Sequence, residues 1–216
     1  MRTNCSFLPI LSWNISGVFY RTNNFRYSKL NSPDFWKVVK EEKIFCLLET
    51  HHTADDTDSL EIPGYKCFSL CRPKSKGVKY KPSGGIAVYV HSSVKGGVSK
   101  LPTSGTENVI LKLKQDFFGL EKDVQLIFSY CVPANSSYRV RHQLEVFVDL
   151  EEKLRSLPSN SNIIVLGDLN SRTGDKKDYI EDEDNTNIPV PDCDLYHNDT
   201  VATFPRNNTI QSIILS

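Results

Sequence analysis

The stretch NIIVLGDLNSRTGD, Asn162 to Asp175, drives an apolar run to Gly167 and sets a carboxylate, Asp168, and an amide, Asn170, directly after it. The run is short, rich in β-branched residues and bounded by polar ones, so it reads as a buried central strand. Three earlier runs end in the same manner. FLPILSWN closes on Asn14, IFCLLET on Glu49, and DVQLIFSYCV runs past Tyr130 toward Asn135. Polar groups at successive strand ends can converge on one edge of a sheet, where backbone no longer fills the space.

Between these strands the pattern is mixed. SPDFWKVVKEEK, Ser32 to Lys43, opens with a Ser cap and Pro at the first helical position and reads as a helix. GYKCFSLCR and GGIAVYV read as strands, and NVILKLK alternates as a half-buried strand does. From Tyr138 to Leu157, apolar residues recur three or four apart and predict one long amphipathic helix. Many strands with few helices predict an α/β fold in which two packed β-sheets are flanked by helices, a four-layer α/β sandwich. Residues 1–171 form the expected domain. Residues 172–216 read as an acidic loop and a short C-terminal segment.

Composition narrows the function classes. The 216 residues carry no net charge and 39% hydrophobic residues, as a soluble globular chain does. No apolar run is long enough to span a bilayer, so no membrane partner is expected. The charges are unevenly placed. No acid occurs from Met1 to Pro33 or from Lys66 to Lys100, whereas nine acids face three bases from Arg172 to Asp199. An acid-free basic segment can hold a phosphate backbone, and solvated loops are the plainer alternative. None of the six cysteines makes a C-x-x-C pair, and Cys46 and Cys131 sit in apolar runs as small hydrophobes, which fits a reducing compartment. Five N-glycosylation sequons occur, but no basic segment with a long apolar stretch precedes them. The expected location is intracellular, nucleus or cytoplasm, with no secretion and no obligate protein partner.

The strand-end residues form a chemical set. A hard cation such as Mg²⁺ takes oxygen ligands and keeps several waters, so Glu49 with the Asn14 carbonyl can supply the protein's share. An Asp can orient or deprotonate a water, and a Tyr hydroxyl with an Asn amide can donate to a phosphate that gains charge. Each residue alone has an ordinary structural explanation; their order and context together point to phosphate chemistry.

With these motifs in order, the chain resembles the endonuclease/exonuclease/phosphatase superfamily. SWNISGV is similar to its W-N-x-x-G element, and LLETHH to its Q-E-T element, with Leu48 in place of Gln. SGGIAVYV is similar to its Gly-Gly strand, SYCVPANSSY to Tyr-x-x-Pro, and LGDLNSRTGD to G-D-x-N. The motifs are most similar to the endonuclease domain of LINE-type retrotransposons and related cellular proteins, and the match runs from about Leu11 to about Gly174. The resemblance implies Mg²⁺-dependent hydrolysis of phosphodiesters, with Mn²⁺ as an alternative ion, and nicking of DNA. It places Glu49 and Asn14 on the metal, Tyr130 on the scissile phosphate, and Asp168 on the water with Asn170 beside it. Charge reasoning adds Lys74, Lys76, Lys79 and Lys81 as contacts to the nucleic-acid backbone.

One motif departs from the pattern. The family ends with Ser-Asp-His or a related Ser-x-x-Asp element. Here TFPRNNTIQSIILS holds no S-D-H, and Ile213 and Ile214 stand where the Asp would be sought. The expected domain is therefore incomplete at its C-terminus. Two further functions stay open beside the nuclease: a catalytically inactive fragment that binds nucleic acid, and a phosphatase on a small phosphorylated substrate.

Overall fold

A computed structural model describes residues 8–23, 25–73, 82–170 and, as backbone, 210–215. Along the chain run β1 (Leu8–Asn14), β2 (Phe19–Thr22), β3 (Phe25–Ser28), α1 (Pro33–Val39), β4 (Ile44–Leu48), β5 (Tyr65–Leu70) and β6 (Ile86–His91). There follow β7 (Val98–Leu101), β8 (Asn108–Leu113), the short α2 (Gln115–Phe118), β9 (Val124–Tyr130), α3 (Ser137–His142), α4 (Val146–Ser156), β10 (Asn162–Asp168) and β11 (Ile210–Leu215). A 3-10 helix, Ala54–Leu60, lies between β4 and β5.

One sheet has the strand order β11-β1-β4-β6-β5 and the other β10-β9-β8-β7. The sequence alternation explains how they pack. In β4, Ile44, Cys46 and Leu48 face one way and join Val109, Leu111, Leu126 and Phe128 of the second sheet in a single core. Phe45 and Leu47 face the other way, onto Phe35 and Val39 of α1. The second sheet turns Ile110 and Ile127 outward onto Leu150 of α4. Helix, sheet, sheet and helix therefore follow in four layers, as expected from the sequence. Helix α1 starts where its signals place it: Ser32 Oγ accepts from the Asp34 N–H (3.2 Å), and Pro33 opens the first turn. Cys46 and Cys131 are buried free thiols. No helix among the described residues is long and apolar enough to cross a membrane.

Several expectations are corrected. The helix predicted from Tyr138 to Leu157 is two helices, α3 and α4. Gln143 takes a left-handed conformation (φ +50°) and its N–H closes α3 on the Arg139 and Val140 carbonyls. Val140 and Phe147, counted on the apolar face, are exposed. Strand β8 is buried on both faces, since sheet and helix cover it from opposite sides, and so is not half-buried. Strand β10, read as central, stands at the edge of its sheet among the described residues. Of the segment after residue 171, only β11 lies among the described residues; it pairs antiparallel with β1 from Leu8↔Leu215 to Trp13↔Ile210. Both the boundary at 171 and the acidic run lie outside them.

The hairpin β2–β3 was not expected. Its Arg26 meets Asp56 of the 3-10 helix at 2.6 Å, and Asp56 also accepts from the Thr53 N–H and hydroxyl, both at 2.8 Å. Burial raises the Asp56 carboxyl, but Arg26 and Thr53 outweigh it and hold it down at about 2. A carboxyl held below its unfolded value of about 3.9 contributes stability above that pH and loses it as the pH falls through the folded value. Arg26 is 43% exposed, so the discounted contribution is on the order of 1–2 kcal/mol. Thermal melts between about pH 5 and pH 2 should show this loss, and Arg26→Met should flatten it.

Candidate active site

The ends of the two parallel strand pairs build the site. Parallel pairing of β1 with β4 puts Asn14 beside Leu48, so Glu49 follows next to it. Parallel pairing of β9 with β10 puts Tyr130 opposite Asp168. Side chains then link the two sheets. Asn14 Nδ2 donates to Asp168 Oδ2 at 3.0 Å, and the Tyr130 hydroxyl donates to Glu49 Oε1. All four residues named from strand ends meet in one place, with Asn170 attached to them.

Each is held by backbone. Asn14 Oδ1 accepts from the Ser16 N–H at 3.1 Å, and Asp168 Oδ1 accepts from the Asn170 N–H, also at 3.1 Å. The Asn170 amide donates to the Cys131 carbonyl at 2.8 Å, and the Cys131 N–H donates to the Asp168 carbonyl at 2.8 Å. Glu49 is carried by a turn tied to β1: Ile15 and Gly17 donate to the Leu48 and Glu49 carbonyls. Ser16, Glu49, His51 and Asn170 all have positive φ, an uncommon state for non-glycine residues that concentrates where function demands it.

Two glycines are required here. Gly167 has φ +142°, and a Cβ on it would lie 1.9 Å from the Ser129 carbonyl oxygen, so only Gly lets β10 close on β9 before Asp168. Gly85 has φ +91°, and a Cβ there would lie 2.5 Å from Thr50 Oγ1, inside the turn that carries Glu49.

The electrostatics sort the groups by role. Glu49 is held below its usual carboxyl value, first by the His51 imidazole, with Tyr130 and Asn14 adding to this against a burial that raises it. Burial and then the Glu49 carboxylate push the Tyr130 phenol well up, so its O–H stays a donor. His51 Nε2 lies 3.4 Å from Glu49 Oε2. His51 was not among the site residues expected from the sequence, and its only signal there is that it follows Glu49 by two residues. His52 is buried on Thr50 at 2.6 Å and supports the turn from within.

Among the described residues no three His, Cys, Asp or Glu side chains cluster as a metal cage. What converges is an ionised carboxylate on Glu49, a second carboxylate on Asp168 and the Asn14 carbonyl. That all-oxygen set suits Mg²⁺, which keeps waters and uses one or two carboxylates. The lysines at 74, 76, 79 and 81 lie outside the described residues. Arg72, in the same basic stretch, is buried on Glu107.

No family model matches the chain, and no curated protein matches it. Solved structures do. An AP endonuclease, LMAP, from Leishmania major is similar at 17% identity and TM-score 0.52, covering 76% of this chain and 55% of that one. The APE2 catalytic domain from Xenopus laevis is similar at 19% identity and TM-score 0.52, over 76% and 59%. A 3′ phosphatase, NExo, from Neisseria, bound to a product DNA hairpin, is similar at 17% identity and TM-score 0.50, over 78% and 60%. The likeness is one of fold, and it is the fold that the motif resemblance implied. The chain spans between 55 and 60% of the length of these structures.

Proposed function

We propose that the chain is a metal-dependent phosphodiesterase of the endonuclease/exonuclease/phosphatase superfamily, acting on DNA as a nicking endonuclease of LINE type. The observation that carries this reading is the closed linkage of four strand ends, Asn14 to Asp168 and Tyr130 to Glu49, across two sheets. Such a linkage serves no need of the core, since the sheets already pack through their apolar faces. The motif order supports the family. DNA as substrate is supported by the LINE-like motifs and by fold neighbours that include an AP endonuclease and a 3′ phosphatase bound to DNA.

In this reading Glu49 and Asn14 hold a Mg²⁺ ion, which supplies charge neutralisation for the phosphate oxygens. Glu49 suits this because His51, Tyr130 and Asn14 keep it ionised. Asp168, fixed by Asn14 and by the Asn170 N–H, orients the attacking water and takes its proton as the new P–O bond forms and the P–O bond to the leaving nucleotide breaks, the leaving oxygen taking a proton from solvent. Tyr130 swings its O–H from Glu49 to a phosphate oxygen and donates there as charge gathers. Asn170 holds the loop after Asp168 on Cys131. Residues 1–171 carry the strand-end residues of this domain, and the acidic segment 172–216 ends in β11, which completes the first sheet beside β1.

A second reading rests on one observation, the acid-free basic stretch from Lys66 to Lys100: a domain that binds nucleic acid and does not cut it. Divalent-dependent conversion of supercoiled plasmid to open circles separates the two. Nicking above a Glu49→Ala, Asp168→Ala control supports the nuclease. Salt-dependent DNA binding with no nicking supports the second reading and sinks the first.

A further inference from the structure

The β2–β3 hairpin carries aromatic side chains that the core does not use. Its register pairs Phe19 with Ser28, Tyr20 with Tyr27, Arg21 with Arg26 and Thr22 with Phe25. Alternation then puts Tyr20, Thr22, Phe25 and Tyr27 on one face. Three of those four are aromatic, and all three are exposed: Tyr20 47%, Phe25 68% and Tyr27 46%. Tyr20 and Tyr27 stack on each other with centroids 5.5 Å apart. The other face is committed to the fold. There Arg26 lies 3.7 Å over the Phe19 ring and pairs with Asp56.

An isolated two-stranded hairpin is marginal in water; this one is anchored at its root. Lys29 Nζ donates to the Ile15 carbonyl at 2.6 Å, and the Lys29 N–H to the Val18 carbonyl at 2.8 Å. The Val18 N–H in turn donates to the Thr50 carbonyl, one residue beyond Glu49. Four-residue strands reach about 13 Å, and their root lies beside the turn that carries Glu49.

We propose that the exposed face of this hairpin is a stacking platform for unpaired bases of single-stranded DNA leading into the site. The proposal rests on reading that site as a DNA phosphodiesterase. Aromatic faces accept any base, and cationic side chains beside them hold the backbone. The charge of the surroundings fits that ligand: no acid occurs from Met1 to Pro33, and Arg21, on the ribbon's other face, is exposed.

The test measures binding of fluorescent oligo(dT), about twelve nucleotides long to fill one site, to the full chain in EDTA. Without divalent ions the readout does not depend on cleavage. Tyr20→Ala/Tyr27→Ala should weaken binding about tenfold or more for each base that loses its stack, with duplex binding unchanged. Tyr20→Phe/Tyr27→Phe should restore it, since the ring faces remain. The side chains are exposed, so thermal melts of the variants should match wild type. Equal loss for duplex and single strand overturns the proposal, as does unchanged oligo(dT) binding in the double Ala variant. So does a wild-type dimer that the same variant dissociates, because the rings then cover a second copy. Failure of the nuclease reading looks different: plasmid nicking at the level of the Glu49→Ala, Asp168→Ala control with ring-dependent oligo(dT) binding intact.

Discussion

Glu49→Gln and Asp168→Asn each lower divalent-dependent plasmid nicking by about 10²–10³-fold, the scale of one lost charge-stabilising group in a preorganised site. Both substitutions keep side-chain shape and remove only the negative charge. Asn14 still finds an oxygen at residue 168, and Tyr130 still finds one at residue 49. The loss is therefore one of chemistry and leaves the thermal melt near that of wild type. The double variant should fall little further than either single one, because groups that act as a unit are not additive. Initial rates of open-circle formation check this. Rates within a fewfold of wild type for both single variants would remove these carboxylates from the mechanism.

Arg72→Met should cost about 3–5 kcal/mol of stability, the scale of a buried ion pair broken on one side. Arg72 is 5% exposed and Glu107 14%. Their contact is bidentate, Nε to Oε1 at 2.8 Å and Nη2 to Oε2 at 2.9 Å, with Nη1 donating to Ser83 Oγ at 3.2 Å. The guanidinium also lies 3.9 Å from the Tyr138 ring centroid and 5.7 Å from that of Tyr130. Removing it strands the Glu107 carboxylate in the interior. Arg72→Met/Glu107→Met should recover most of the loss, since apolar side chains of similar length need no partner there. Urea midpoints at unchanged slope report both effects. A single variant within about 1 kcal/mol of wild type would show that the pair is well hydrated.

Most of the strands, though not β2, β3 and β7, were legible because alternation and apolar runs are written residue by residue. So was the cap at Ser32, whose bond to Asp34 spans two positions. The helix break at Gln143 was not, because Val140, Leu144 and Phe147 keep helical spacing across it while only a left-handed turn lets α4 reach Ile110 and Ile127. Nor did charge reveal the fate of Arg72. A basic run looks alike whether a member faces solvent or a carboxylate 35 positions away.

By itself the sequence determined most of the strands, the start of α1 and the four-layer class, and it named five candidate site residues, since each depends on short-range pattern or on motif. The tertiary structure alone decided that these side chains meet. Asn14 reaches Asp168 across 154 positions and Tyr130 reaches Glu49 across 81. It also decided that His51 joins them, that β10 takes an edge, and that three rings of the β2–β3 hairpin remain in water. The reason is physical: periodicity reports which face a residue takes on its own element, whereas partnership depends on which strand ends the packed sheets bring together.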